Sequence, residues 1–170
     1  MAFIVRESTE ADAYDVARVN ILSWQSAYRD IIPDDYLNNL NIDKRAERLK
    51  KDLVEYAGKT YWFAMAYDGK IIGTMAIGQC RDDDKPAAGE VMAIYLLPEY
   101  WSMGLGKKSM DFAVKTLRES SFDDIYVWVL EENVRARKFY EKYGFVYDGT
   151  RKEINLGKPL IEIRYVLGNI

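Results

Sequence analysis

The segment Ile94-Tyr95-Leu96-Leu97-Pro98-Glu99-Tyr100-Trp101-Ser102-Met103-Gly104-Leu105-Gly106-Lys107-Lys108 joins an apolar strand to a glycine turn that opens a helix. Pro98 ends the strand because it has no N–H for a ladder. Gly104 and Gly106 let the backbone approach a ligand closely, while the first N–H groups of the new helix point outward without partners. Such a turn suits a pyrophosphate, and Lys107 and Lys108 add positive charge to it. The plainer alternative is a tight loop followed by two solvated lysines. Two familiar phosphate motifs do not fit. A P-loop needs glycine where Trp101 stands, and a dinucleotide fingerprint needs glycine or alanine at Ser109 and a turn placed directly after its strand.

Working outward, the helix after the turn has Met110, Ala113, Val114 and Leu117 at amphipathic spacing. A strand Ile125 to Leu130 follows, then a helix with Ala136, Phe139, Tyr140 and Tyr143 on one stripe, ended by Gly144. Two closing strands, Phe145 to Ile154 and Leu160 to Val166, meet around Gly157-Lys158-Pro159. Towards the N-terminus, the apolar strand Val91 to Leu97 is preceded by the polar loop Arg81 to Gly89. Before that loop lies a hairpin, Tyr61 to Tyr67 and Lys70 to Ile77, turning at Asp68-Gly69. The first third is helical. After a short strand at Phe3 to Arg6, Thr9 with Asp12 caps a helix whose stripe is Tyr14, Ala17, Ile21, Trp24 and Tyr28, and two further helices start at Pro33 and Asp43. Strands alternating with helices predict an α/β (α+β) fold over residues 1–170, one domain with a mixed central sheet of about six to seven strands.

Composition narrows the function. The 24 basic and 27 acidic residues leave a net charge of −3 with both signs interspersed, so neither nucleic acid nor a membrane surface is an expected partner. No leader or spanning segment is evident, and a cytoplasmic location is expected. There is no histidine, and Cys80 is the only cysteine. A Cys/His zinc site, a Ser-His-Asp triad and a Cys-His dyad are therefore excluded, and no metal is expected.

The Ile94 to Tyr100 stretch, the Gly104-x-Gly106 turn, Asn133 and the string Phe139-Tyr140-Glu141-Lys142-Tyr143-Gly144-Phe145 together resemble the GNAT superfamily of N-acetyltransferases, across roughly Val5 to Val166. The resemblance implies acetyl-CoA as donor and a sheet splayed between the Val91 to Leu97 and Ile125 to Leu130 strands. Pantetheine would lie in that gap against the backbone of Ile94, Tyr95 and Leu96. It implies further that the backbone of Ser102, Met103, Gly104, Leu105, Gly106 and Lys107 holds the pyrophosphate, that Asn133 bonds the cofactor arm, and that the Tyr140 hydroxyl lies near the thioester sulfur. The chain departs from the family at Trp101, where glutamine or arginine is usual, and at Ser102, so phosphate affinity would lean on the lysines and backbone. Trp128 stands where other members carry their base.

A thioester is already activated, so a neutral amine attacks it without a covalent enzyme intermediate. The amine must lose a proton and the thiolate gain one. Tyr140, protonated at neutral pH, is the candidate acid, although its stripe also reads as core. Glu90 is the candidate base, directly or through water, or merely continues the solvated charges of the loop before it. Trp24 and Tyr28 either line an amine pocket or pack in the core. Cys80 has no neighbour to activate it and receives no role. The acceptor is a small-molecule amine, a peptide N-terminus or a lysine. A non-catalytic acyl-CoA sensor and a transferase for longer or acidic acyl groups remain alternatives, and a homodimer through an exposed strand edge near Leu160 to Val166 is possible.

Overall fold

The computed structural model describes residues 2–168. Strands β1 (Phe3–Glu7), β2 (Thr60–Tyr67), β3 (Lys70–Gln79), β4 (Gly89–Leu96), β5 (Ile125–Leu130), β6 (Val146–Asn155) and β7 (Pro159–Leu167) form one sheet in the order β1-β2-β3-β4-β5-β7-β6. Helices α1 (Ala13–Ala27), α2 (Asp34–Asn38), α3 (Ile42–Glu55), α4 (Leu105–Glu119) and α5 (Val134–Tyr143) flank it. The β2–β3 hairpin turns where its two central residues take positive φ, Asp68 at 47° and Gly69 at 81°, the geometry that matches strand twist. All sheet neighbours are antiparallel except β4 and β5. No helix among the described residues is long and apolar enough to cross a membrane.

Two layers of core follow from the alternation of side chains along each strand. On one face Phe63, Met65, Met75 and Val91 meet Met110, Ala113 and Leu117 of α4, with Tyr140 of α5 in the same cluster. On the other face Ala64 packs against Ala13, Val16 and Ala17 of α1 and Ala46 and Leu49 of α3. The stripe expected on α1 is shifted: Tyr14 is 54% exposed, whereas Val16 and Val19 are buried. The helix is covered from two sides, by α3 and by β3 and β4. Its buried arc is therefore wider than the single stripe that spacing describes.

The sheet opens between β4 and β5. They pair only at Gly89 with Ile125 and Glu90 with Tyr126, after which the strands part. The cause is local: β4 carries a bulge against β3, its register shifting between Ala76 and Ile77 so that Met92 is the extra residue. A bulge bends its strand and adds twist. From Val91 onward the β5-facing backbone of β4 is left without a ladder.

The expected free edge at Leu160 to Val166 is not one. β7 pairs with β5 on one side and β6 on the other. The short β6–β7 hairpin folds the last strand back between β5 and β6, leaving β1 and β6 as the edges.

Candidate active site

The gap between β4 and β5 is a cavity of about 460 Å³. Its lining comes from α1, β4, β5, the glycine turn, α5 and the β6–β7 hairpin. At one end stand Ile94, Leu96, Trp101, Gly106, Asn133 and Arg135. At the other stand Trp24, Tyr28, Tyr95, Trp128, Lys152 and Glu162. Tyr140 lies on the wall as well.

The turn is built as its sequence implies. Ser102 and Gly104 both adopt positive φ, 63° and 76°, and Gly104 caps α4 from the left-handed region, where a Cβ is disfavoured. This alternation directs successive N–H groups to one side, a concavity suited to an anion. Gly106 has a second use, since a Cβ there would stand 3.3 Å from the Phe139 ring. Its glycine lets α4 and α5 approach each other beside the cavity. Lys107, in contrast, pairs with Asp111 at 2.8 Å.

Trp101 is explained by what it holds. Its Nε1 donates to the Leu96 carbonyl at 2.8 Å, closing the strand end onto the turn, and the Arg135 guanidinium stacks 3.5 Å from its ring centroid. Partial burial lowers the Arg135 pKa from its ordinary value, and no carboxylate pairs with it among the described residues. A partly desolvated cation stacked on Trp101 in the cavity wall has the chemistry to pair with an anion. Composition at position 101 alone gave no hint of it, because the compensating charge arrives from α5. Asn133 caps α5, its side-chain oxygen accepting from Ala136 N at 3.2 Å. Its amide nitrogen is thereby oriented by the helix that carries Tyr140.

Tyr140 is both core and cavity wall. Only 7% of it is exposed, and its ring meets Phe139 and Phe145 edge-on at 5.5 and 5.8 Å. Burial raises its pKa well above the usual phenol value, so it keeps its proton throughout the neutral range. Trp24, Tyr28 and Tyr95 form an aromatic cluster at the end of the cavity away from the glycine turn, with ring centroids 5.0 to 6.4 Å apart. The Tyr28 and Tyr95 hydroxyls are hydrogen-bonded at 3.0 Å. Burial is the main cause of the raised pKa of both.

Glu90 is 1% exposed, so it does not continue the solvated charges of the preceding loop. Arg81 holds both of its oxygens, through Nη2 at 2.6 Å and Nε at 3.2 Å, and adds its backbone N–H at 3.0 Å. Arg81, not Glu90, lines the cavity. Cys80 is buried and its thiol is pushed up to about 11, chiefly by desolvation, which leaves it unreactive at neutral pH.

Three residues escaped the sequence reading: Arg135, Lys152 and Glu162. Glu162 lies in the cavity wall near the aromatic cluster, and burial raises its pKa against the opposing pull of Lys152. The signal for the last two is a cross-strand pairing, Lys152 opposite Glu162, which exists only once β6 and β7 are in register.

A sheet opened at a β4 bulge, a left-handed turn at the head of α4 and a tyrosine on the next helix define an acyltransferase architecture. The model of the Acetyltransferase (GNAT) family matches residues 24–145, and the chain belongs to that family. The uncharacterized N-acetyltransferase YuaI of Bacillus subtilis is 33% identical over 164 residues, covering 91% of this chain and 92% of its own. Among solved structures, the PaiA N-acetyltransferase of Thermoplasma acidophilum in complex with coenzyme A superposes with a TM-score of 0.78 at 22% identity, covering 96% of this chain and 98% of that one. The acetyltransferase YncA of Salmonella typhimurium with acetyl-CoA gives 0.72 at 14%, covering 99% and 94%. At those identities the structures establish the shared fold.

Proposed function

We propose that this chain is an acetyl-CoA-dependent N-acetyltransferase that passes the acetyl group directly to a primary amine. The observation that carries the reading is the continuity of one cavity from the anion-binding turn, past Tyr140, to an aromatic chamber with a carboxylate in its wall. The residues fit the donor. The positive-φ turn with Arg135 suits its phosphates, and the unpaired β5-facing edge of β4 offers backbone groups to the amides of its arm. Bound there, acetyl-CoA supplies an acyl group already activated as a thioester.

The residues of the chain then have three tasks. The aromatic chamber excludes water and positions the amine. The Tyr140 hydroxyl holds a proton ready for the departing sulfur. The amine's proton leaves through water or towards a carboxylate, and because Glu90 is locked to Arg81 it can take part only through that pair. No histidine or cysteine stands in the lining, which favours direct transfer over a covalent enzyme intermediate.

The test is a melting-temperature series with acetyl-CoA, CoA, NAD and ATP, followed by release of free thiol with an amine panel. A ligand at a hundred times its Kd stabilises by about 2.7 kcal/mol, a shift of several degrees at this size. Acetyl-CoA and CoA are expected to give that shift, NAD and ATP none. No shift with either CoA species would end the proposal. Arg135→Ala is expected to weaken CoA about ten-fold, the scale of one charge-assisted phosphate contact. Dephospho-CoA titrated in parallel identifies the phosphate that Arg135 serves.

A further inference from the structure

The wall of the acceptor chamber holds an arrangement that the proposed reaction does not by itself require. Residues two apart share a face of a strand. The register places Leu130 opposite Glu162 and Trp128 opposite Arg164 on β7, with Lys152 opposite Glu162 on β6. Trp128, Lys152 and Glu162 thus meet on one face, and all three line the cavity. The Lys152 ammonium stands 3.8 Å from the Trp128 ring centroid and 3.6 Å from Glu162 Oε2. The indole is fixed from behind, its Nε1 donating to Asp82 Oδ2 at 2.9 Å. Here, a protonated primary amine on an alkyl chain rests between an aromatic face and a carboxylate inside the chamber where the acceptor is to bind.

We infer that the Trp128 face and the Glu162 carboxylate form a subsite for the alkylammonium group of the acceptor, and that the Lys152 side chain occupies it until the acceptor displaces it. This rests on the acetyltransferase reading for the meaning of the chamber, and it names the acceptor class as cationic aliphatic amines. The chemistry is that of ammonium recognition: a ring quadrupole attracts the cation, and the carboxylate neutralises it where water is scarce. An ordinary cross-strand ion pair lies on the protein surface. This one lines a cavity, with the carboxylate side chain only 22% exposed and the lysine 44% exposed, free to swing outward. The other charged and titratable groups near Glu162 and Trp128 are Arg81, Glu90, Tyr28 and Tyr95, together with Arg164, whose guanidinium stands 5.5 Å from the Trp128 ring centroid with its charge taken up by Asp82, Asp84 and Asp148. Arg81 and Glu90 neutralise each other, and the phenols stay protonated. Once Lys152 swings away, Glu162 is the negative charge left for an incoming ammonium.

The probe is n-butylammonium chloride, with n-butanol as the uncharged control, followed by the Trp128 indole N–H resonance assigned through Trp128→Phe. The wild type is expected to bind the ammonium and not the alcohol. Lys152→Gln, with the internal competitor removed, should bind several-fold tighter, and Glu162→Gln about ten-fold weaker. Equal affinity of the wild type and Glu162→Gln, equal binding of butanol, or silence in both the wild type and Lys152→Gln would each overturn the subsite. Acetylation of n-butylamine is measured alongside. Binding as expected in a protein whose melting temperature neither acetyl-CoA nor CoA raises would refute the enzymatic reading and leave the subsite standing.

Discussion

Tyr140→Phe is expected to lower kcat by about two to three orders of magnitude while acetyl-CoA binds within about two-fold of the wild type, the loss typical of a general acid. The variant keeps the ring, and with it the edge-on contacts to Phe139 and Phe145 that seat α5 against the core. Its melting temperature should therefore hardly change. Steady-state kinetics with the preferred amine, paired with a titration of acetyl-CoA, separate the two roles that Tyr140 combines. A catalytic hydroxyl lowers kcat at unchanged KM for the donor. A purely structural tyrosine leaves both where they were, and that result would remove Tyr140 from the mechanism. Because burial holds the phenol protonated well above neutrality, the wild-type rate should show no loss from Tyr140 ionisation up to at least about pH 9. A fall on the acid side belongs to protonation of the amine and of the carboxylates in the chamber, not to Tyr140.

The parts of this site legible in the sequence are those written in local chemistry. The β5 strand, the Asp68-Gly69 hairpin and the helix start at Gly104 depend on nearest-neighbour preferences and short periodicities, and each stands where its residues imply. Trp24, Tyr28, Tyr95 and Tyr140 all line the cavity; the family resemblance points to Tyr95 and Tyr140, whereas Trp24 and Tyr28 sit on a helical stripe that reads equally as core. What was not legible is whatever depends on strands distant in sequence. Lys152 and Glu162 meet only through the β6–β7 register. Arg135 has meaning only because Trp101 lies flat beneath it. The edge expected at Leu160 to Val166 was wrong for the same reason, since strand order, unlike strand existence, is not a local property. Tyr14 was misplaced because a helix covered on two sides buries more than one stripe, and spacing alone cannot say which flank is covered.

The largest expected effect on stability lies beside the site, at Arg164. Its side chain is 3% exposed and is surrounded by carboxylates, bonding Asp148 at 2.7 Å, Asp82 at 3.0 Å and Asp84 at 2.8 Å. These contacts tie the Arg81 to Gly89 loop to β7, and through Asp82 they also set the Trp128 indole. Arg164→Met leaves those acidic groups facing one another without a cation. Removing the buried cation leaves Asp82 and Asp148 largely shielded from water without their partner while exposed Asp84 is solvated, so the variant is destabilised and its Tm falls by several degrees. The pH dependence follows from the carboxylates. Hydrogen bonding from Arg164 holds Asp84 below its ordinary value. Burial pushes Asp148 upward, but hydrogen bonds from Thr150 and Arg164 outweigh it, and its pKa is lowered too. A carboxylate whose pKa is depressed on folding contributes stability that is full above its unfolded value near 4 and is lost as pH falls through the folded value. Urea unfolding of the wild type should therefore show stability falling as pH drops below about 4. In Arg164→Met the dependence should flatten or reverse, because protonation now relieves repulsion. Parallel acid slopes in the two proteins would mean that Arg164 is not what depresses those carboxylates, and that the Arg81 to Gly89 loop is held by other contacts.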